Sequence, residues 1–200
     1  WVFPAPIIRR NHRWMFDTAA GVEELTARRI GRNELWAIRG LRSLVQAQAD
    51  YYLLDPDGDG LHAFASRIIS SEGKRDGLFW PAGENEDQSP LGPVIAEAFE
   101  PGELDAGHVG PRAYHGYYFR ILLKQSAAAP GGAMSYFDDQ GNLTRGFAVL
   151  AWPEEYGRTG VMSFQVGRDG KVMQKDLGPQ TAAVVTTIDS FDPTGWAPAE

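Results

Sequence analysis

The chain has 200 residues, 43% of them hydrophobic, and carries 26 acidic against 19 basic side chains, which gives a formal net charge of −7. This length and composition can bury a substantial core, while the acidity and the lack of a large Lys/Arg cluster argue against nucleic acid as a partner. The absence of cysteine excludes disulfides, thiolate metal sites and a cysteine nucleophile, and no apolar run is long enough for a transmembrane segment.

The beginning of the chain has the pattern of a β-hairpin. Two short strands, residues 1–8 and 13–17, flank a turn at Asn11. We expect residues 1–17 to form a hairpin that ends an upstream domain, and residues 18–200 to form the main α+β domain.

Two amphipathic helices are predicted next. Asn33 with Glu34 has the chemistry of a helix start, and apolar residues then recur every three or four positions through Leu35–Ala49. A shorter helix is predicted over Leu61–Ser70, where apolar residues keep the same spacing at Leu61, Phe64, Ala65 and Ile68.

The second half of the chain has the alternation and the turn residues of antiparallel strands. The turn Gly167-Arg168-Asp169-Gly170 is typical of a hairpin, and helical spacing returns after Pro179. The stretch between residues 71 and 111 is rich in Gly and Pro, with one short helix predicted near Val94–Phe99. The predicted strands are Tyr117–Lys124, Ala133–Phe137, Leu143–Trp152, Val161–Val166 and Lys171–Lys175.

Together these elements predict an α+β fold in which the two helices cover one face of a four- to five-stranded antiparallel sheet.

A candidate calcium site lies between the two predicted helices. Asp55, Asp57 and Asp59 occupy positions 1, 3 and 5 of an EF-hand-like loop, and Gly60 occupies position 6. Leu61 would offer its backbone carbonyl at position 7. The bidentate Glu expected at position 12 is replaced by Ser66, so the alternative is a turn in which Asp59 caps the second helix.

A candidate binding site combines Arg75, Trp80 and His115. Arg75 could act as a fork for a carboxylate and Trp80 as an aromatic platform. The alternative is a solvated loop in which Lys74, Arg75 and Asp76 pair locally while the aromatic residues anchor the segment in the core.

Histidines suggest one catalytic alternative. His108 and His115 could approach each other across a Gly-rich loop with Asp105 nearby, which would suit a hydrolase. No other familiar catalytic or nucleotide-binding motif is convincing, so we assign no catalytic residue and favour a non-enzymatic binding or scaffolding module.

Several segments of the chain resemble domain-of-unknown-function family 2950, a family of bacterial exported proteins. They are residues 33–49, the Asp-rich loop, Gly73–Pro81, His115–Arg120, Gly160–Phe164 and Lys175–Pro179. The resemblance runs over nearly the whole chain. It implies an exported protein of the periplasm or cell surface. We expect an envelope protein or surface component as its partner, and no cofactor other than the candidate calcium.

The chain also resembles, more weakly, type IV pilin and pseudopilin head domains, in which a long helix packs on an antiparallel sheet. Leu35–Ala49 would be that helix and Phe147–Lys175 that sheet. The long apolar N-terminal helix through which pilins polymerise is replaced here by the hairpin.

Overall fold

The computed structural model describes residues 2–56, 58–83, 86–92, 101–104, 108–111 and 113–199, with the backbone alone for 101–104 and 108–111. Within these residues the fold is α+β. It contains a long helix, a five-stranded antiparallel sheet and four two-stranded sheets. The predicted α+β class and the five-stranded antiparallel sheet are therefore confirmed.

The predicted N-terminal hairpin is present. Strand β1 (Ile7–Arg10) pairs antiparallel with strand β2 (Arg13–Phe16). Asn11 and His12 form the turn with φ of 50° and 61°, the left-handed conformation that a two-residue hairpin loop requires.

Helix α1 spans Thr18–Leu54 and so begins well before Asn33, the predicted start. Asp17 caps it, because its carboxylate accepts a hydrogen bond from the backbone N–H of Ala20 at 3.1 Å. The first turns show no buried stripe, since apolar side chains such as Val22 and Leu25 are exposed there. Sequence periodicity therefore could not reveal them.

The buried stripe of α1 occupies its second half. Ile38 and Leu41 lie in it, as the apolar repeat predicts, and Gln48 lies there too, whereas Leu35 is 55% exposed. The buried side chains of this half are Ala37, Ile38, Leu41, Leu44, Ala47, Gln48 and Tyr51.

The five-stranded sheet is built mainly from the second half of the chain. The strands after the hairpin are β3 (Arg67–Ile69), β4 (Gly77–Phe79), β5 (Pro101–Leu104), β6 (His108–Pro111), β7 (Tyr117–Leu122), β8 (Lys124–Gln125), β9 (Met134–Ser135), β10 (Ala148–Pro153), β11 (Met162–Gly167), β12 (Val172–Asp176) and β13 (Ala197–Pro198). The main sheet has the order β13-β12-β11-β10-β7. A short helix, α2 (Thr181–Val184), continues into a 3₁₀ turn at Val185–Thr187.

Helix α1 contacts one face of this sheet, through β11, β10 and β12. Phe119 lies on that face and packs against Gly40 of α1. On the opposite face, Arg120 donates hydrogen bonds to the carbonyls of Val185 and Ile188 at 2.7 and 2.6 Å. The chain after α2 therefore covers the face that α1 leaves open.

The second predicted helix, Leu61–Ser70, is wrong. Residues 61–66 form no helix or strand, and Arg67–Ile69 is strand β3, parallel to β4. The backbone N–H groups of this segment bond to residues far away in the chain and not to one another, as they would in a helix. Phe64 N–H donates to the Leu143 carbonyl at 2.8 Å, and Ala65 N–H donates to the side chain of Gln48. The apolar spacing reflects burial of Phe64 and Ala65 in an extended chain, not a helical face.

Two other expectations concern particular segments. The short helix predicted at Val94–Phe99 lies outside the described residues.

Within the described ranges, no helix is apolar enough over a sufficient length to cross a bilayer.

Candidate functional site

An open groove of about 670 Å³ lies at the end of the main sheet, where β11 ends and β10 begins. A cavity of this size is typical of small-molecule sites. Its apolar lining comes from segments far apart in the chain: Pro130, Tyr136, Phe147, Met173, Phe191 and Pro193. The three aromatic side chains in this lining, Tyr136, Phe147 and Phe191, are buried. The groove can therefore take an apolar or aromatic group.

Three cationic side chains, Arg145, Arg168 and Lys171, line the same groove. The Arg145 guanidinium lies 3.2 Å from an Asp139 carboxylate oxygen, and the Lys171 ammonium lies 3.8 Å from one of Asp169. Both pairs are exposed, so solvent screens them and they leave the cations available to a ligand. The groove is thus lined by three cations and one carboxylate, Asp169.

Arg168 differs from the other two cations. No carboxylate lies within ion-pair distance of it in the described parts of the chain, and its guanidinium carbon lies 5.1 Å from the centre of the Phe64 ring. A cation–π contact orients a guanidinium without neutralising it. Arg168 is therefore placed to bind an anion.

The turn that carries Arg168 is held by local chemistry. Gly170 has φ of 73°, and its N–H donates to the Gly167 carbonyl at 3.0 Å. The carboxylate of Asp169 accepts a hydrogen bond from Lys171 N–H at 3.1 Å. These bonds fix the turn and with it the backbone from which Arg168 and Lys171 extend.

On the other side of the groove, the backbone of Arg145 is tied to Tyr136, whose carbonyl accepts the Arg145 N–H at 3.0 Å. A Cβ at Gly146 would stand 3.1 Å from the Tyr136 ring, so the ring packs directly on this backbone. Burial raises the pKa of the Tyr136 phenol to about 12. The phenol therefore stays neutral at physiological pH and adds no negative charge to the groove.

A smaller cavity of about 260 Å³ adjoins the groove and shares two lining residues with it, Phe147 and Arg168. Its other lining residues are apolar or aromatic: Val45, Ala49, Tyr52, Leu53 and Phe64. Arg168 thus borders both cavities.

The structure places Arg75 over the ring of Trp80. The Arg75 guanidinium carbon lies 5.4 Å from the Trp80 ring centre, and its Nη1 lies 3.3 Å from Asp87 Oδ2. Trp80 is only 4% exposed, and its indole N–H donates to the Asp87 carbonyl at 3.0 Å. The Tyr51 hydroxyl donates to the Arg75 carbonyl at 2.6 Å. Trp80 is thus largely enclosed, and only Arg75 is accessible to a ligand.

His115 lies elsewhere. Its exposed ring stacks on Trp36 of α1 at 4.6 Å between ring centres. Trp36 and Tyr51 are fifteen positions apart on α1, which corresponds to about 22 Å along a helix. The structure therefore does not bring His115 together with Arg75.

Of the three residues of the hydrolase alternative, the structure describes the side chain of His115 alone. His115 has φ of 49° and lies at an exposed turn, but the side chain of His108 and the whole of Asp105 lie outside the described residues. The His/carboxylate hydrolase stays a prediction.

The Asp-rich loop follows the end of α1. Asp55 is the C-cap, with φ of 47°, and its Oδ2 accepts a hydrogen bond from Gly60 N–H at 3.0 Å. Asp59 Oδ1 accepts one from Leu61 N–H at 2.7 Å, so Asp59 stabilises a turn and does not cap a helix. Asp57 lies outside the described residues, and the calcium site stays a prediction.

The calcium hypothesis predicts that millimolar calcium raises the melting temperature of the wild-type protein and that magnesium does so much less. Asp59→Asn keeps the acceptor for Leu61 N–H but removes one charge, so it should abolish the calcium-dependent rise without changing the melting temperature in a chelator. Differential scanning calorimetry measures both. Identical melting curves of the wild-type protein in calcium and in chelator would show that the loop does not bind calcium.

Sequence reasoning missed the groove residues Arg145, Arg168 and Lys171. The sequence places Arg168 only within a hairpin turn. Residues 145–147 and 167–173 each combine cations with aromatic or apolar neighbours, which is a signal that the sequence offers. Nothing in the local sequence shows that these two segments lie close together.

The fold and the groove define an α+β protein with an open apolar groove bordered by cations. Among the residues that the structure describes, no group of three or more His, Cys, Asp or Glu could hold a metal ion. The chain belongs to a family of proteins of unknown function, DUF2950, whose model matches residues 1–199. This confirms the family resemblance; no curated protein and no solved structure matches the chain.

Proposed function

We propose that this protein is a non-enzymatic binding module of the bacterial cell envelope, and that its ligand occupies the groove between Arg145 and Arg168. The ligand we infer has an apolar or aromatic body and at least one anionic group. The observation that supports this most strongly is Arg168, a guanidinium that borders an apolar cavity and has no described carboxylate partner.

The chemistry of the groove supports an anion over a neutral ligand. An anion would gain attraction from three cations, while the neutral Tyr136 phenol adds no repulsion. The buried aromatic floor supports a flat apolar group, because apolar area removed from water contributes roughly 25 cal/mol per Å². The guanidinium plane of Arg168 adds bidentate recognition of carboxylate, sulfonate or phosphate.

The proposal predicts where an anionic aromatic probe binds. In a ¹⁵N-labelled sample, 2-naphthalenesulfonate should shift the amide resonances of residues 145–147 and 167–171, which flank the groove. The uncharged 2-naphthalenemethanol should shift them at clearly higher concentration, because it lacks the anion. Equal potency of the two probes, or shifts confined to other parts of the chain, would contradict the proposed site.

The envelope location rests on the family resemblance and not on the groove. Fractionation of native cells should recover the protein from the periplasm or the cell surface. Recovery from the cytosol would contradict the envelope location but not the proposed ligand site in the groove.

We also propose that the fold is related to pilin head domains. The support is a long helix, α1, in contact with an antiparallel sheet. An experimentally determined structure of a family member, superposed on pilin head domains, tests this. If the strand order β13-β12-β11-β10-β7 does not correspond to the strand order of the pilin sheet, the relationship is excluded.

A further inference from the structure

The N-terminal hairpin and the first turns of α1 expose an unusual amount of apolar surface. Trp14 is 70% exposed and Phe3 62%. The other exposed apolar side chains of this region are Val2, Ile7, Met15, Phe16, Val22 and Leu25. Single exposed apolar residues are common on soluble proteins, but several of them close together mark an interaction surface.

Strand register gathers the aromatic residues on one face of the hairpin. Ile7 pairs with Phe16, and Arg9 pairs with Trp14, so these four side chains share a face. The Phe3 ring lies 5.1 Å from that of Phe16, and the Arg9 guanidinium lies 5.9 Å from the Trp14 ring. We call this surface, formed by Phe3, Ile7, Arg9, Trp14 and Phe16, the hairpin face.

The hairpin is held firmly against α1. Ala5 packs so closely on Gly21 that a Cβ at Gly21 would stand 2.8 Å from the Ala5 Cβ. Asp17 N–H donates to the Pro6 carbonyl at 2.8 Å, and Arg28 Nη1 donates to the Val2 carbonyl at 2.8 Å. The hairpin face is therefore presented in a fixed orientation by the helix.

Positive charge accompanies this apolar surface. Arg9, Arg10 and Arg13 are exposed around the hairpin turn. Residues 1–17 contain three Arg and one acidic residue, Asp17, whereas the remaining 183 contain 16 basic and 25 acidic residues. The charge of the hairpin end is thus opposite to that of the rest of the chain, and a second hairpin face would be repelled by it. The partner must be anionic.

We propose that the hairpin face docks on an anionic phospholipid surface. Exposed aromatic side chains next to arginines suit a membrane interface, where indole and phenyl rings lie at the headgroup boundary and guanidinium groups contact lipid phosphates. Anionic lipid attracts such a basic segment and repels the acidic remainder of the chain, so the hairpin end faces the bilayer. The inference is independent of the ligand in the groove.

Vesicle co-sedimentation of the full chain tests the proposal. The protein should bind vesicles of phosphatidylcholine with roughly one third phosphatidylglycerol at least about tenfold more tightly than vesicles of phosphatidylcholine alone. Raising the salt from about 0.1 to 0.5 M should weaken binding, because screening removes the electrostatic part.

Matched variants identify the surface. The double variant Trp14→Ser, Phe16→Ser should lose vesicle binding, as should Arg9→Glu, because Arg9 lies over the Trp14 ring on the hairpin face. Leu53→Ser should keep it, since Leu53 is as exposed as Trp14, at 73%, but lies at the far end of α1. Circular dichroism should show all variants folded, because the replaced side chains are exposed.

Other occupants of the hairpin face would give different results, and each would overturn the proposal. A self-interface would appear in analytical ultracentrifugation as a dimer that Trp14→Ser, Phe16→Ser dissociates, with no vesicle binding. Wild-type protein that fails to bind the anionic vesicles at low salt would leave the upstream domain expected from the sequence, or an acidic protein, as the partner. Equal binding by the hairpin variants and Leu53→Ser would place lipid contact elsewhere.

Discussion

Ile38→Asp is expected to unfold the protein or to drive it into aggregates. Ile38 is 7% exposed in the buried stripe of α1, and an aspartate there would carry an unpaired charge into the core and lose the apolar packing. The combined cost is about 4 kcal/mol or more, against a total stability of roughly 5 to 15 kcal/mol for a domain. Thermal and denaturant unfolding followed by circular dichroism measures it.

Arg39→Asp is the matched control, because Arg39 is exposed and lies over the Trp36 ring at 5.2 Å. It should cost no more than about 1 kcal/mol. Similar melting temperatures for the two variants would show that α1 buries a different face.

Gln48→Ala should destabilise the protein by about 2 to 4 kcal/mol. The fully buried side-chain amide of Gln48 donates to the Ala65 carbonyl at 2.8 Å and accepts from Ala65 N–H at 2.9 Å. Its removal leaves two buried backbone groups without partners and creates a cavity. Denaturant unfolding measures the loss.

Gln46→Ala is the control for this substitution. Gln46 is exposed on the same helix, and in the described structure its side chain bonds only to Asp50, at 2.9 Å, so removal of that side chain should cost about 0.5 kcal/mol or less. A loss for Gln48→Ala as small as that for Gln46→Ala would mean that the Ala65 backbone finds other partners and that the segment does not depend on α1.

Gln48 also shows why part of the fold escaped sequence reasoning. The segment around Phe64 has the apolar spacing of a helix, yet Gln48 and the Leu143 carbonyl take its backbone hydrogen bonds in an extended conformation. Those partners are 17 residues or more away along the chain, so no local pattern could reveal them. Long-range bonds outweigh a local helical preference here.

Local chemistry was enough where the deciding groups are close in sequence. The turn Gly167–Gly170 joins β11 and β12 as its Gly and Asp residues predict. The start of α1 is the opposite case: Asp17 caps the helix, but the following turns bury too little apolar surface to show a period. The candidate groove was hidden for a third reason, because strands β10 and β11 bring its residues together only after the sheet forms.

The affinity of 2-naphthalenesulfonate for wild type, Arg168→Gln and Arg158→Gln, measured by isothermal titration calorimetry, tests the central claim most directly. Arg158 is an exposed arginine paired with Glu155 at 2.8 Å and is not among the groove residues. We predict that Arg168→Gln weakens binding about tenfold, or 1.4 kcal/mol, while Arg158→Gln leaves it unchanged. Equal dissociation constants for wild type and Arg168→Gln, or equal weakening by both variants, would contradict binding of an anion in the groove.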